Sequence, residues 1–204
     1  MKGVKGIQDF GLWLKGQLLD LKIGSGNFTT LGVIGGTIPL TNYLADYAPF
    51  SLGFRCPELH TRLILQYKAQ MGLYARVTGA FFLRGNSTIE RDYYYTTTGN
   101  YTNKVDMPNA DHFTATLGWW LFDNTLKVET SYERFNTLGG FDIRRQDAGF
   151  PSNNMESTMV QGHIQYFTPV KGLGVLATYG KVLEGRNVGK TTSIAAGITY
   201  QFGI

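Results

Sequence analysis

Three histidines are the residues of this chain best suited to acid–base work. His60, His112 and His163 could each activate a serine nucleophile, as in a lipid hydrolase, provided base and hydroxyl sit within hydrogen-bond reach. No serine falls where a strand would set it beside any of them, so catalysis is not expected. Gly189-Lys190-Thr191 has the ending of a phosphate-binding loop, but Glu184 stands where that loop needs a glycine and no helix follows. Glu90, Asp92 and Asp106 lack the ligand spacing of a calcium loop. The single cysteine, Cys56 in Arg55-Cys56-Pro57-Glu58, has no internal partner for a disulfide and reads as an inert loop thiol. Neither a metal nor a cofactor is expected.

The other charged and amide side chains are spaced for solvation. Lys15, His60, Arg62, Gln66, Lys68, Arg76 and Arg84 alternate with apolar residues in the first half of the chain. Lys127, Glu129, Glu133, Gln161, His163, Gln165 and Glu184 form the corresponding set in the second half. Placed in a bilayer, such groups survive only where water or partners solvate them, which assigns them to a lumen. Six of them are basic and three acidic, so an open passage would mildly favour anions. The opposite expectation is that they pair across neighbouring strands and fill a narrow barrel. Tyr93-Tyr94-Tyr95 lies between strand patterns, and is a candidate external binding surface or a self-packed loop.

The elements that position these residues follow from a period of two. Thr192, Ile194, Ala196, Ile198, Tyr200 and Phe202 alternate with small or polar Ser193, Ala195, Gly197, Thr199 and Gln201. The same alternation runs through Phe10–Leu18, Leu63–Tyr67, Leu73–Leu83, Phe113–Leu121, Leu126–Tyr132, Val160–Tyr166 and Leu173–Tyr179. Phe28–Ile38 is strand-like but too glycine-rich for its faces to be assigned. About nine strands result, several near the ~9–11 residues that cross a bilayer at a tilt. Short turns at Gln70–Gly72, Phe122–Thr125 and Pro169–Gly172 alternate with long polar loops over about 41–58, 86–109 and 136–157. Aromatics collect beside the short turns: Tyr67, Trp119 with Trp120, Tyr166 with Phe167, and Tyr200 with Phe202. Rings of this kind favour the membrane–water boundary.

The fold class expected is all-β: an antiparallel, up-and-down transmembrane β-barrel forming a single domain over residues 1–204. A soluble barrel or sandwich would also alternate, but its strands are typically about 5–6 residues and its aromatics need not band at one end. Composition agrees, with 26 Gly, 12 Tyr and 13 Phe against 17% charged residues, where a soluble domain carries about a quarter. The net charge of +4 is dispersed, which does not suggest nucleic-acid binding. Met1–Lys5 has the charge of a secretory leader, but no apolar run follows it. An odd strand number is unusual for a single-chain bacterial barrel, so either at least one further strand upstream is expected or the count of nine is off by one.

Gly139-Gly140-Phe141-Asp142-Ile143-Arg144-Arg145, Phe150-Pro151-Ser152-Asn153-Asn154 and Gly185–Lys190 leading into Gly197-Ile198-Thr199-Tyr200-Gln201-Phe202 carry a resemblance. From about Tyr43 onward the chain resembles outer-membrane transporter-like barrels of Bacteroidota, similar to the family associated with phenol and meta-pathway degradation. The resemblance implies further upstream strands, the outer membrane of a Gram-negative cell, contact with its lipid bilayer, and passage of small, including hydrophobic, solutes. It also leaves room for partner proteins or an oligomer through external loops or the barrel wall. The ending departs from common barrels, because Gly203 and Ile204 follow Phe202.

Overall fold

The computed structural model describes residues 6–46, 51–95, 98–145 and 149–202, and no helix occurs among them. Thirteen strands follow in order: β1 (Asp9–Ile23), β2 (Gly26–Pro39), β3 (Glu58–Ala69), β4 (Leu73–Arg84), β5 (Asn86–Thr88), β6 (Tyr94–Tyr95), β7 (Gly99–Asn100), β8 (Lys104–Asp106), β9 (Asn109–Leu121), β10 (Leu126–Leu138), β11 (Glu156–Phe167), β12 (Leu173–Arg186) and β13 (Thr192–Tyr200). Nine of them make one antiparallel sheet in the order β1-β2-β3-β4-β9-β10-β11-β12-β13. The other four form two small hairpin ladders, β5 with β8 and β6 with β7, inside the β4–β9 connection.

Eight of the nine long strands coincide with the alternating stretches of the sequence and the ninth with the glycine-rich Phe28–Ile38, and each pairs with its neighbours in an unbroken meander. Short connections at residues 24–25, 70–72, 122–125 and 168–172 fall at one end. Three long ones at 40–57, 85–108 and 139–155, and a five-residue one at 187–191, fall at the other. Two of the tight turns demand glycine. Gly72 and Gly172 have φ of 88° and 79°. A Cβ there would come within 2.4 Å of the Trp120 carbonyl oxygen and 2.3 Å of that of Gln201, so both the backbone conformation and the space exclude a side chain.

Register divides the sheet into two faces. Rows such as Leu65–Val77–Ala115 and Ile198–Val175–Tyr166 lie on one; rows such as Gln66–Arg76–Thr116–Ser131–Gln161 lie on the other. The apolar face is uncovered from edge to edge: Leu14 is 69% exposed, Leu117 52% and Ile194 80%. A bulge between Gln17 and Leu19 shifts the β1 register. It preserves this face, because the apolar parity itself changes there, from Leu12 and Leu14 to Leu19, Leu21 and Ile23.

Two expectations are corrected by register. A second bulge, between Thr158 and Met159, pairs Glu184 with Thr158, on the face opposite to Gln161 and His163. Glu184 therefore leaves the polar set. Trp120 and Phe167 also separate from Trp119 and Tyr166, since consecutive strand residues cannot share a face. Both turn to the polar side, where their rings stack at 5.9 Å.

Among the described residues β1 and β13 do not pair, so the sheet is open. Its two edge strands run in the same direction, both from the long-connection end toward the short-turn end. The fully buried apolar residues lie mostly outside the sheet. Tyr43, Ala45, Cys56, Ile89, Val105 and Met107 form a small core among the long connections, which pack into a cap at that end. Ser87 Oγ donates to the Phe54 carbonyl at 2.6 Å, Arg55 donates to the Thr88 carbonyl at 3.2 Å, and Arg91 pairs with Asp46 at 2.6 Å. Each bond ties the 40–57 connection to the 85–108 one.

Candidate functional site

The polar face is concave, since one cavity of about 450 Å³ is lined from eight of the nine strands. Lys15 comes from β1, Arg62 and Gln66 from β3, Arg76 from β4, Glu129 and Glu133 from β10, and Gln161 and His163 from β11. His112 joins them from β9, with Thr78, Thr114, Thr116, Ser131 and Thr178 between the charges. Lys68, Lys127 and Gln165 lie on the same face toward the short turns; His60 and Arg84 lie on it toward the cap. Thirteen of the fourteen side chains singled out by spacing thus share one face, with Glu184 the exception. Glu58 and Asp20 also belong to it by register. Sequence reading passed over both, Glu58 because it sat within the assigned loop and Asp20 because it follows the β1 bulge.

At the short-turn end the concave face closes on an ion–aromatic cluster. Glu129 accepts from Tyr74 and from Arg76 at 3.1 Å, and pairs with Lys127 at 2.7 Å. Lys127 and Lys68 stand over the Trp120 ring, 5.6 and 5.8 Å from its centre. Tyr74 owes its position to Gly118, its direct cross-strand partner, where a Cβ would come within 2.3 Å of the ring. One carboxylate therefore balances three donors in a setting where Glu129 is only 10% exposed.

A second cluster closes the cap end. The Arg84 side chain, 8% exposed, pairs with Glu58 at 3.0 Å. Its guanidinium faces Phe54, Phe82 and Phe135 at 5.4–5.9 Å, contacts that combine packing with cation–π attraction. Glu58 also bonds His60 Nε2 at 2.9 Å, and His60 meets Phe82 edge-on at 4.8 Å. Phe54 is the contribution of the cap: the 40–57 connection turns it down onto Arg84.

Cys56 lies beside this cluster, 3% exposed. Burial first, then the Glu58 carboxylate, pushes its thiol up to about 12. Tyr43, which donates to Asp9 at 2.9 Å and accepts from the Arg55 amide at 2.8 Å, is likewise pushed up to about 12, mainly by burial. Both groups hold their protons longer in the folded cap than in the unfolded chain. Their contribution to stability is complete below about pH 9 and fades as pH rises toward 12. Cys56 should react with iodoacetamide at pH 8 roughly a hundredfold or more slower than in the denatured chain. The rate should climb steeply only above about pH 9, when the cap loosens; a rate at pH 8 equal to that of the unfolded chain would mean the cap does not bury this thiol.

Tyr93, Tyr94 and Tyr95 divide by role. Tyr94 packs on Phe150 of the β10–β11 connection at 5.6 Å. Tyr93 and Tyr95 meet edge-on at 5.6 Å and remain half exposed beside Tyr101, which is 90% exposed. The β10–β11 connection is fastened in turn to Arg186, which bonds both Asp142 oxygens at 2.9 Å and Glu156 at 3.2 Å. Arg186 and Asn187 hold the Asp142 carboxyl below the usual carboxylate range.

No hydrogen bond joins a serine to His60, His112 or His163 among the described residues; His112 instead faces Glu133 at 3.6 Å. No group of three or more His, Cys, Asp or Glu that could hold a metal occurs among them. No family model, no curated protein and no solved structure matches this chain.

Proposed function

We propose that the sheet is the wall of an outer-membrane β-barrel of a Gram-negative cell, and that its concave face guides small solutes across that membrane. The observation that carries this reading is the contrast between the faces: one bare and apolar over nine strands, the other ionic around a cavity. A soluble protein seldom leaves contiguous apolar surface on that scale open to water, whereas a bilayer is its natural neighbour. The aromatics that remain on the apolar face near the short turns, Tyr67, Trp119, Tyr166 and Tyr200, suit the periplasmic interface. The cap then faces outward and the chain's solute enters past Phe54 and Arg84. Since β1 and β13 run in the same direction, an all-antiparallel wall requires an odd number of further strands between them; direct pairing would be parallel. The resemblance in the loop segments points to the same class of transporter-like barrel.

A docking barrel is the second reading, and the closed clusters at both ends of the concave face favour it. Planar-bilayer recording separates the two. The passage reading expects discrete single-channel steps with a weak preference for anions, given that Lys15, Arg62, Lys68, Arg76, Arg84 and Lys127 outnumber the acids facing them. Silence from correctly folded protein would give the assignment to the docking barrel.

A further inference from the structure

Lys15, Arg62, Lys68 and Lys22 are the cations of the concave face with no ion-pair partner among the described residues. Lys68 stands over Trp120 at the short-turn end and Lys22 shares its row, which leaves Lys15 and Arg62 in mid-wall. Lys15 and Arg62 share one register row, on either side of Val33, about 10 Å apart at the usual strand spacing. Their row neighbour Ala80 is small. The acids nearby are engaged elsewhere, Glu133 by His112 and Glu129 by Arg76 and Lys127. Unlike Arg76 or Arg84, then, these two cations are not neutralised by the fold.

The row above them toward the cap is aromatic. Trp13, Gly35, His60 and Phe82 succeed one another across β1 to β4. Trp13 meets His60 edge-on at 6.0 Å, and His60 meets Phe82 at 4.8 Å. The indole occupies the space beside Gly35, where a Cβ would fall within 2.2 Å of it; no other residue at that position would leave the ring in place. Trp13, Val33, His60, Ile64 and Phe82 line a second cavity of about 540 Å³, and Lys15 and Arg62 line both this one and the polar chamber. The two cations thus stand on the boundary between an apolar pocket and a wet one.

We propose that this boundary is a binding site for an amphiphilic monoanion, a small carboxylate with an apolar body. The carboxylate would sit between Arg62 and Lys15, and the body would lie along Val33, Trp13 and Phe82. A planar guanidinium accepts a carboxylate through two parallel bonds, and lysine adds a point charge. Neither the anionic end nor the apolar end is sufficient alone, since the two cations would meet only the carboxylate and the Trp13–Phe82 side only the body. This deepens the passage reading, and rests on it for the route by which such a solute would arrive.

The test is titration calorimetry of the whole chain folded in detergent micelles, with hexanoate, acetate and hexan-1-ol as probes. Hexanoate should bind and the two half-molecules should bind at least about tenfold more weakly. Lys15→Gln with Arg62→Gln should weaken hexanoate by about tenfold or more while leaving hexan-1-ol unchanged. Because neither cation is paired, the double variant should fold like the parent, checked by circular dichroism. Trp13→Ala should lower affinity for hexanoate and spare acetate. Hexanoate binding equal in parent and double variant, or acetate binding as tightly as hexanoate, would overturn the site. Conductance without hexanoate binding removes this site and keeps the passage; hexanoate binding without conductance keeps the site and removes the passage.

Discussion

Leu65→Arg should cost about 2–4 kcal/mol of folding stability in lipid vesicles, while Gln66→Arg, one residue along, should cost about 1 kcal/mol or less. The two positions differ only in the face that strand alternation gives them. Leu65 sits mid-strand on the apolar face between Thr30 and Val77. With lipid against that face, as proposed, an arginine there would bring a charge into hydrocarbon, or drag water in with it. Gln66 sits between Thr29 and Arg76 on the concave face, where the cavity supplies water and Glu129 lies beside Arg76. Denaturant titration of the vesicle-inserted chain measures both. Equal costs at the two sites would remove lipid from the apolar face, and with it the proposed compartment.

Glu129→Gln has the second-largest expected effect, and it should be visible in two independent measurements. The parent carboxylate holds Tyr74, Arg76 and Lys127 together at the short-turn end. An amide of the same size keeps the packing but leaves two cations without a counter-charge, which should lower stability by about 2 kcal/mol. The figure sits below the range for fully buried broken pairs because Arg76 is a third exposed and partly hydrated. The same change adds one unit of positive charge to the concave face, so reversal potentials across a salt gradient should move further toward anion preference. Glu184→Gln is the control. It lies on the other face and outside the cluster, and should alter neither quantity appreciably. A parent-like stability in Glu129→Gln would mean that the cluster is held by Trp120 and the backbone rather than by the carboxylate.

How far the structure was legible in the sequence depends on the kind of signal. Period two is a local property, and it located eight of the nine long strands and three of the four short turns; β2 was read only as strand-like, and the turn at 24–25 before it went unnamed. Faces were legible wherever alternation ran unbroken, as through β3 and β4. They were lost where a bulge inserted a residue: Glu184 was misplaced for that reason, and Asp20 went unnoticed for the same one. Phe28–Ile38 resisted assignment because glycines remove the side chains from which a face is read. The structure supplies the reason for one of them, since Gly35 makes room for Trp13. Aromatic pairs misled for another reason: Trp119-Trp120 reads as one patch in sequence, but its two rings lie on opposite faces of the sheet. The cap was the least legible part. Its bonds join residues far apart in the chain, such as Ser87 to Phe54 and Tyr43 to Asp9, and no periodicity announces contacts of that kind.

The apolar face also has a height. On β4 it runs from Leu73 to Leu83, and on β9 it ends at Asp111, which bonds Asn136 at 3.1 Å. Eleven tilted residues rise about 25 Å, less than the roughly 30 Å of an average hydrocarbon core. As the barrel wall proposed above, a sheet of that height would be matched by lipids with short acyl tails, and thicker leaflets would have to pinch inward around it. The vesicles in which Leu65→Arg is measured therefore belong at the short-tailed end of the range, where the parent chain is not itself strained by the fit.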